Sequence, residues 1–231
     1  MKSLMHTSVL TTILAFAAVP AFAVSIPYVQ PFNTDTLDAA TTYPDFTASL
    51  GGGTATVTDG VLHLNPSEGG GDQSFTVAIS PAPTEEFNIS AGIGASNSNG
   101  NYHVALIVGQ NRIAFHPGFD GAAFRVDGPG GFGNQNIGFT PANNVLHFME
   151  VQSLPDGTFN IEFTDGANPL NVYTNTFNNP ASYGGPVGFF RSGPPNGDGQ
   201  FDNLQIVPEP SVVTALAFGF ATLAGIRRRR A

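Results

Sequence analysis

The carboxylates of the central chain are the first residues to weigh for chemistry. Cleaving a glycosidic bond needs two carboxyl groups, one acid and one nucleophile, about 5–5.5 Å apart when configuration is retained. One strand can present such groups on one face only at alternate positions, as in E-x-D-x-x-E, and no such run occurs. Glu85 and Glu86 are consecutive, so on a strand their side chains point to opposite faces. Glu150 and Glu162 each stand alone on a separate alternating run, which reads as two solvated strand positions. There is no G-x-S-x-G elbow for a serine nucleophile, and with no cysteine there is no thiol nucleophile, thiolate metal site or disulfide. The expectation is a non-catalytic protein with no catalytic residues and no organic cofactor.

His63, His103, His116 and His147 lie in or beside separate strand-like runs, none in H-x-H or H-E-x-x-H spacing, so no histidine metal site is expected. Gly51-Gly52-Gly53, Gly69-Gly70-Gly71 and Gly128-Pro129-Gly130-Gly131 are not followed by a helix or a P-loop lysine and read as inter-strand loops. Calcium prefers carboxylate and carbonyl oxygen, and Asp120, Asp127, the Asn134-Gln135-Asn136 segment and the pair Asp198 and Asp202 are its candidates as a structural ion, with no EF-hand to organise them. Sugar recognition needs aromatic platforms beside amide and carboxylate groups. Tyr28, Tyr43, Tyr102, Tyr173 and Tyr183 are the candidates, with abundant Asn and no Trp.

Charge excludes one class of partner. Within residues 24–207 the only basic residues are Arg112, Arg125 and Arg191, against sixteen of the seventeen acids. A phosphate backbone is repelled by such a surface, so nucleic-acid binding is not expected.

The two ends read as addresses. Lys2 precedes an apolar run over residues 9–19, and Pro20 precedes Ala21-Phe22-Ala23, whose small residues at −3 and −1 fit signal peptidase with cleavage after Ala23. At the other end stand Pro208, Glu209 and Pro210, then residues 211–226 without a charge, then Arg227, Arg228, Arg229 and Arg230. As a helix that span is about 24 Å long, a little short of a hydrocarbon core of about 30 Å, and snorkelling arginines make up the difference. The arginines stay cytoplasmic and place the body across the membrane, in agreement with the signal peptide.

This tail resembles the PEP-CTERM sorting signal of Gram-negative bacteria. The resemblance covers only the last 24 residues and implies recognition by an exosortase, a membrane-embedded enzyme that cleaves near the triplet and passes its substrate to the cell surface or extracellular polymer. The implied course is membrane anchoring before processing, and cell surface or exopolysaccharide matrix after it. A permanent tail anchor is the alternative.

The chemistry-bearing residues must be positioned by the 184-residue body, 24–207. No apolar 3.6-residue period persists there. Short alternating runs instead predict strands at 55–57, 61–64, 75–79, 87–93, 102–108, 112–115, 122–126, 145–151, 158–163, 171–177, 187–190 and 201–206, an all-β sandwich. Asp59-Gly60, Pro155-Asp156-Gly157 and Gln110-Asn111 read as hairpin turns. Sixteen of the twenty Phe fall in the body and supply the core. The ordered set of Pro31-Phe32-Asn33-Thr34-Asp35, the hairpin over 54–64, the His147-bearing strand with its partner to Phe163, and Gly188-Phe189-Phe190 before Phe201-Asp202-Asn203-Leu204-Gln205-Ile206 resembles a concanavalin A-like, laminin-G-like jelly roll. That resemblance implies two antiparallel sheets of about six or seven strands, with the closing strand pairing near the opening one. The expected organisation is a signal peptide at 1–23, the sandwich at 24–207 and the sorting signal at 208–231, with helices at both ends. The expected function is an exported carbohydrate-binding or biofilm-matrix module, the alternatives being a glycoside hydrolase on the same scaffold and a protein adhesion module.

Overall fold

The computed structural model describes residues 23–24, 27–79, 86–96, 103–117, 124–183, 185–195 and 197–208. The strands in chain order are β1 (Ala23–Val24), β2 (Tyr28–Gln30), β3 (Phe46–Ser49), β4 (Thr54–Thr58), β5 (Val61–Asn65), β6 (Gln73–Ile79), β7 (Phe87–Ala95) and β8 (His103–Val108). They continue as β9 (Asn111–Phe115), β10 (Phe124–Asp127), β11 (His147–Ser153), β12 (Thr158–Thr164), β13 (Val172–Asn178), β14 (Val187–Ser192) and β15 (Gly199–Pro208). One short helix, α1 (Ala39–Thr42), is capped by the Asp38 carboxylate, which accepts from the Thr41 backbone N–H at 3.2 Å.

Every strand expected from alternation is present. Three further strands, β1, β2 and β3, escape the pattern because each is too short to show a period; in β3 only Phe46 is buried. The strands form a seven-stranded sheet, ordered β1-β6-β14-β8-β9-β10 with β3 beside β6, and an eight-stranded sheet, ordered β13-β12-β11-β7-β15-β5-β4 with β2 beside β15. All pairings are antiparallel except β1 with β6. The closing strand β15 does pair with the opening strand β2, Leu204 lying opposite Gln30.

Inward positions of the two sheets share one core. Eleven of the phenylalanines are buried in it, with Phe189 stacked on Phe201 at 4.6 Å and Phe115 against Phe163 at 4.7 Å. Phe32, fully buried, touches Tyr43, Phe46, Phe75 and Phe189 and so ties the segment after β2 to the seven-stranded sheet. Asp59 and Gly60 both take positive φ, 51° and 79°, in the tight turn between β4 and β5. One turn is displaced from its expected place: β8 and β9 are joined by Gly109-Gln110, and Asn111 is already buried in β9. Gly109 is required there, since a Cβ would lie 2.3 Å from the Ser182 carbonyl oxygen.

Ala21, Glu209, Pro210, Arg227, Arg228, Arg229 and Arg230, and both expected terminal helices, lie outside the described residues. Ala23 belongs to β1, where it pairs with Ala78. Pro208 is the last residue of β15, opposite Phe87, so the ladder runs one residue past the expected domain boundary at 207. A proline is tolerated at a strand end that needs no further N–H. Among the described residues no helix is long and apolar enough to cross a membrane.

Candidate functional site

The outward face of the eight-stranded sheet carries the polar chemistry. Along β11 the outward residues are Phe148, Glu150 and Gln152, and along β12 they are Asn160, Glu162 and Thr164. The hairpin register sets Glu150 directly opposite Glu162, with Ser90 of β7 and Thr174 of β13 extending the same row. This corrects the expectation that the two glutamates stand alone. They lie on different strands, but the antiparallel ladder makes them face-to-face neighbours, with Cβ atoms about 4.5–5.5 Å apart in such a pair. The Asn88 amide donates to Glu150 Oε1, and Asn160 Nδ2 donates to Gln152 Oε1 at 3.2 Å. Glu150, Gln152, Asn160, Glu162, Thr174 and Thr176 line a shallow cavity of about 440 Å³.

A second cavity of about 430 Å³ lies on the same face, lined by Gly92, Leu146, His147, Phe148, Asp202, Asn203 and Gln205. Two local features shape it. A bulge between Asp202 and Gln205 shifts the register of β15 against β7, and Asn203 takes φ of 51° to accommodate it. Gly92 forms the opposite side, where a Cβ would sit in ordinary van der Waals contact with Asp202 and Leu146 at 3.6–3.7 Å, so the glycine keeps the floor low without strain being needed to explain it. Burial pushes the Asp202 carboxyl up from its ordinary value, against a hydrogen bond from the Asn203 backbone N–H. Phe148 is 44% exposed and is the one exposed phenylalanine among the described residues.

The expected tyrosine platforms are turned inward instead. Tyr43 is buried against Phe32, Tyr28 packs on Phe46, Tyr173 lies 4.9 Å from Phe124, and Tyr183 packs between Phe87 and Phe159. Each ring is worth more as core than as surface in a sandwich that lacks Trp and disulfides. Tyr102 lies outside the described residues.

The four histidines of the body are held in three settings. His147, fully buried, donates from Nε2 to the Ala142 carbonyl at 3.0 Å and accepts at Nδ1 from the Gly166 N–H at 3.1 Å; burial lowers its pKa. His63 pairs with Asp198; burial alone would raise that carboxyl, but hydrogen bonds from His63 and Ser96 hold it below the ordinary range. His103 accepts from Arg125 Nη2 at 3.2 Å and packs 5.4 Å from His116, on the other sheet.

The calcium candidates are not gathered into one site. Asp127 pairs with Arg125 at 3.2 Å, Asp198 turns to His63, Asp202 hydrogen-bonds Asn203, and Asn134-Gln135-Asn136 is an exposed loop. Asp120 and Glu85 lie outside the described residues. Among the described residues no three His, Asp or Glu side chains cluster to hold a metal.

No protein-family model matches this sequence, and no curated protein matches it either. Solved structures do. A sialidase superposes at a TM-score of 0.53 and 14% identity over 79% of this chain, which spans only 19% of the sialidase. Peanut lectin superposes at 0.52 and 8% identity, covering 78% of this chain and 97% of the lectin. A legume lectin-like domain from Entamoeba histolytica gives 0.51 and 10% identity, covering 76% and 97%. At these identities the likeness is one of fold: the described body is a legume-lectin-like, concanavalin A-like jelly roll of two antiparallel sheets.

Proposed function

We propose that this protein is an exported, surface-sorted glycan-binding module without catalytic activity, associated with exopolysaccharide. The observation that carries the reading is the pair of adjoining cavities on one sheet face, which combine carboxylates, amides and hydroxyls with one exposed aromatic ring. Sugars need that mixture, acceptors and donors at fixed positions beside an apolar surface. The legume lectin-like folds above and the Emp47p carbohydrate recognition domain, at a TM-score of 0.51 and 10% identity, give the scaffold a precedent in sugar binding. A second reading, glycoside hydrolysis, is favoured by the facing carboxylates Glu150 and Glu162. A glycan array probed with the full chain, with and without calcium, separates them. Retention of a polysaccharide without release of reducing ends is expected. Turnover that disappears in both Glu150→Gln and Glu162→Gln would establish the hydrolase, and no retention of any glycan would end the binding reading.

The route to the surface belongs to the same proposal. Signal peptidase removes residues 1–23 at the Ala21 and Ala23 site, and an exosortase acts at Pro208, Glu209 and Pro210 while Arg227 to Arg230 hold the tail in the cytoplasm. Mass spectrometry of the exported protein is expected to begin at Val24. Replacing the Pro-Glu-Pro triplet with alanines is expected to leave the protein in the inner membrane. An intact Met1 on the exported form, or unchanged surface release of the triplet variant, would contradict this route.

A further inference from the structure

We propose that the outward face of β7, β11, β12 and β15 takes one uncharged, extended glycan chain across both cavities, and that Glu150 and Glu162 exclude chains bearing uronates. The inference rests on the glycan-binding reading above.

Continuity comes first. Phe148 lines one cavity and Glu150 the other, two residues apart on the same face of β11 and therefore about 7 Å apart along the strand. On β7 the outward neighbours Gly92 and Ser90 make the same step, opposite Phe148 and Glu150. The cavities are adjoining parts of one surface.

Their chemistry differs in a way that suits successive sugar units. At the first, the exposed Phe148 ring offers a platform for the apolar face of a sugar, the missing side chain of Gly92 keeps the floor low, and β15, with its bulge after Asp202, supplies Asp202, Asn203 and Gln205 as the far wall. At the second, two carboxylates, three amides and two threonine hydroxyls replace the aromatic ring. A neutral sugar has hydroxyls to donate to every one of those acceptors.

Charge then selects. The face presents Glu150, Glu162 and Asp202, and neither cavity is lined by an arginine or lysine. The arginines of the described residues lie elsewhere: Arg112 and Arg125 are on β9 and β10 of the other sheet, and Arg191 is fully buried. His147 adds no charge, since its Nδ1 accepts from Gly166 and burial keeps the ring neutral. A uronate carboxylate entering the second cavity meets two like charges and no cation. Like charges directly opposite each other also weaken a sheet, so the Glu150–Glu162 pair is a feature the fold itself does not need.

The test uses the full chain in detergent and labelled hexasaccharides of equal length, a neutral set of gluco-, manno- and galacto-hexaoses against oligogalacturonate, at about 50 and about 300 mM salt to separate local from screened charge. At least one neutral hexaose is expected to bind, and the uronate at least about tenfold more weakly. The double variant Glu150→Gln, Glu162→Gln is expected to bring the two within about threefold. Gly92→Leu, which raises a bulky side chain from the cavity floor, and the surface variant Phe148→Ala, which leaves the core untouched, are each expected to weaken the neutral ligand about tenfold or more. Equal binding of uronate and neutral chains, lost in Gly92→Leu, would overturn the charge selection while leaving the glycan site standing. A gap that persists in the double variant would assign the exclusion to the whole acidic body and overturn the role of the pair. No binding of either class would remove both the inference and the reading beneath it.

Discussion

Arg191→Met is expected to cost the fold about 3–5 kcal/mol, since it removes four hydrogen bonds from a buried guanidinium, each worth about 1.5–3 kcal/mol when the donor is charged and less than additive together. Arg191 sits on β14, fully buried, and its guanidinium reaches past the end of the core to the loops that close it. Nη1 donates to the carbonyls of Gly71 at 3.0 Å and Gly193 at 3.2 Å; Nη2 donates to Gly197 at 2.9 Å and to Pro194. One side chain therefore satisfies acceptors from the loop before β6 and from the loop that leads into β15. Methionine keeps much of the volume and removes every donor, and each buried carbonyl left without a partner costs about 1–3 kcal/mol before water relieves it. With a urea dependence near 2 kcal/mol per molar, the unfolding midpoint is expected to fall by about 1.5–2.5 M. Arg191→Lys is expected to recover less than half, because an ammonium cannot serve a forked set of carbonyls. A midpoint shift below about 0.3 M for the methionine variant would refute this account of the loop closure.

Acid is expected to destabilise the protein well before its carboxylates protonate. Burial, then the charges of Arg125, His116 and Arg112, lower the His103 pKa to about 3, with Asp72 opposing weakly. The geometry agrees, since Arg125 can only donate and the His103 Nε2 it reaches must be unprotonated. Below the unfolded value of about 6.5 the unfolded chain binds a proton that the native His103 refuses, so this contribution is complete above pH 6.5 and is lost as pH falls toward 3. At about 1.4 kcal/mol per unit, the loss by pH 5 is about 2 kcal/mol from His103, and His147, lowered by burial, acts in the same direction. The urea midpoint measured at pH 7.5 and pH 5.0 is expected to drop by about 1 M or more. His103→Gln, whose amide oxygen can still accept from Arg125, is expected to remove most of the His103 share. An identical drop in that variant would locate the acid sensitivity elsewhere.

Both predictions concern residues whose importance arises from partners far away in the chain. Arg191 reads in sequence as one of three scattered cations, and the Gly71 that it holds is 120 residues distant. His103 reads as an isolated strand histidine until β10 brings Arg125 beside it. The facing glutamates are a different case. Each is six residues from Asp156, the centre of a turn legible as Pro155-Asp156-Gly157, so an antiparallel hairpin about that turn already contains their pairing. The signal was present in the sequence, but judging each glutamate on its own strand missed it.

The tyrosines show the opposite limit. Composition offered five candidate platforms, and the fold turned the described ones inward while leaving Phe148 outside. Position on the pleat decides this, for Phe148 alternates with buried His147 and Met149 on β11. A type-based expectation for aromatics on a sheet is therefore weaker than a phase-based one.

What the sequence determined by itself was the class of fold, twelve of its strands and most of its local turns, together with the charge division between an acidic body and basic ends. Those depend on alternation and turn chemistry within a few residues, which no tertiary context is needed to read. The tertiary structure alone decided the adjacency of β7 and β15, the pairing of Asp202 with Gly92 and the bulge after it that sets Gln205 across from Ser90, the cavity beside Phe148 and the four carbonyls around Arg191. These depend on which strands become neighbours when the two apolar faces bury each other. That choice minimises exposed area over the whole chain, and no single segment carries it.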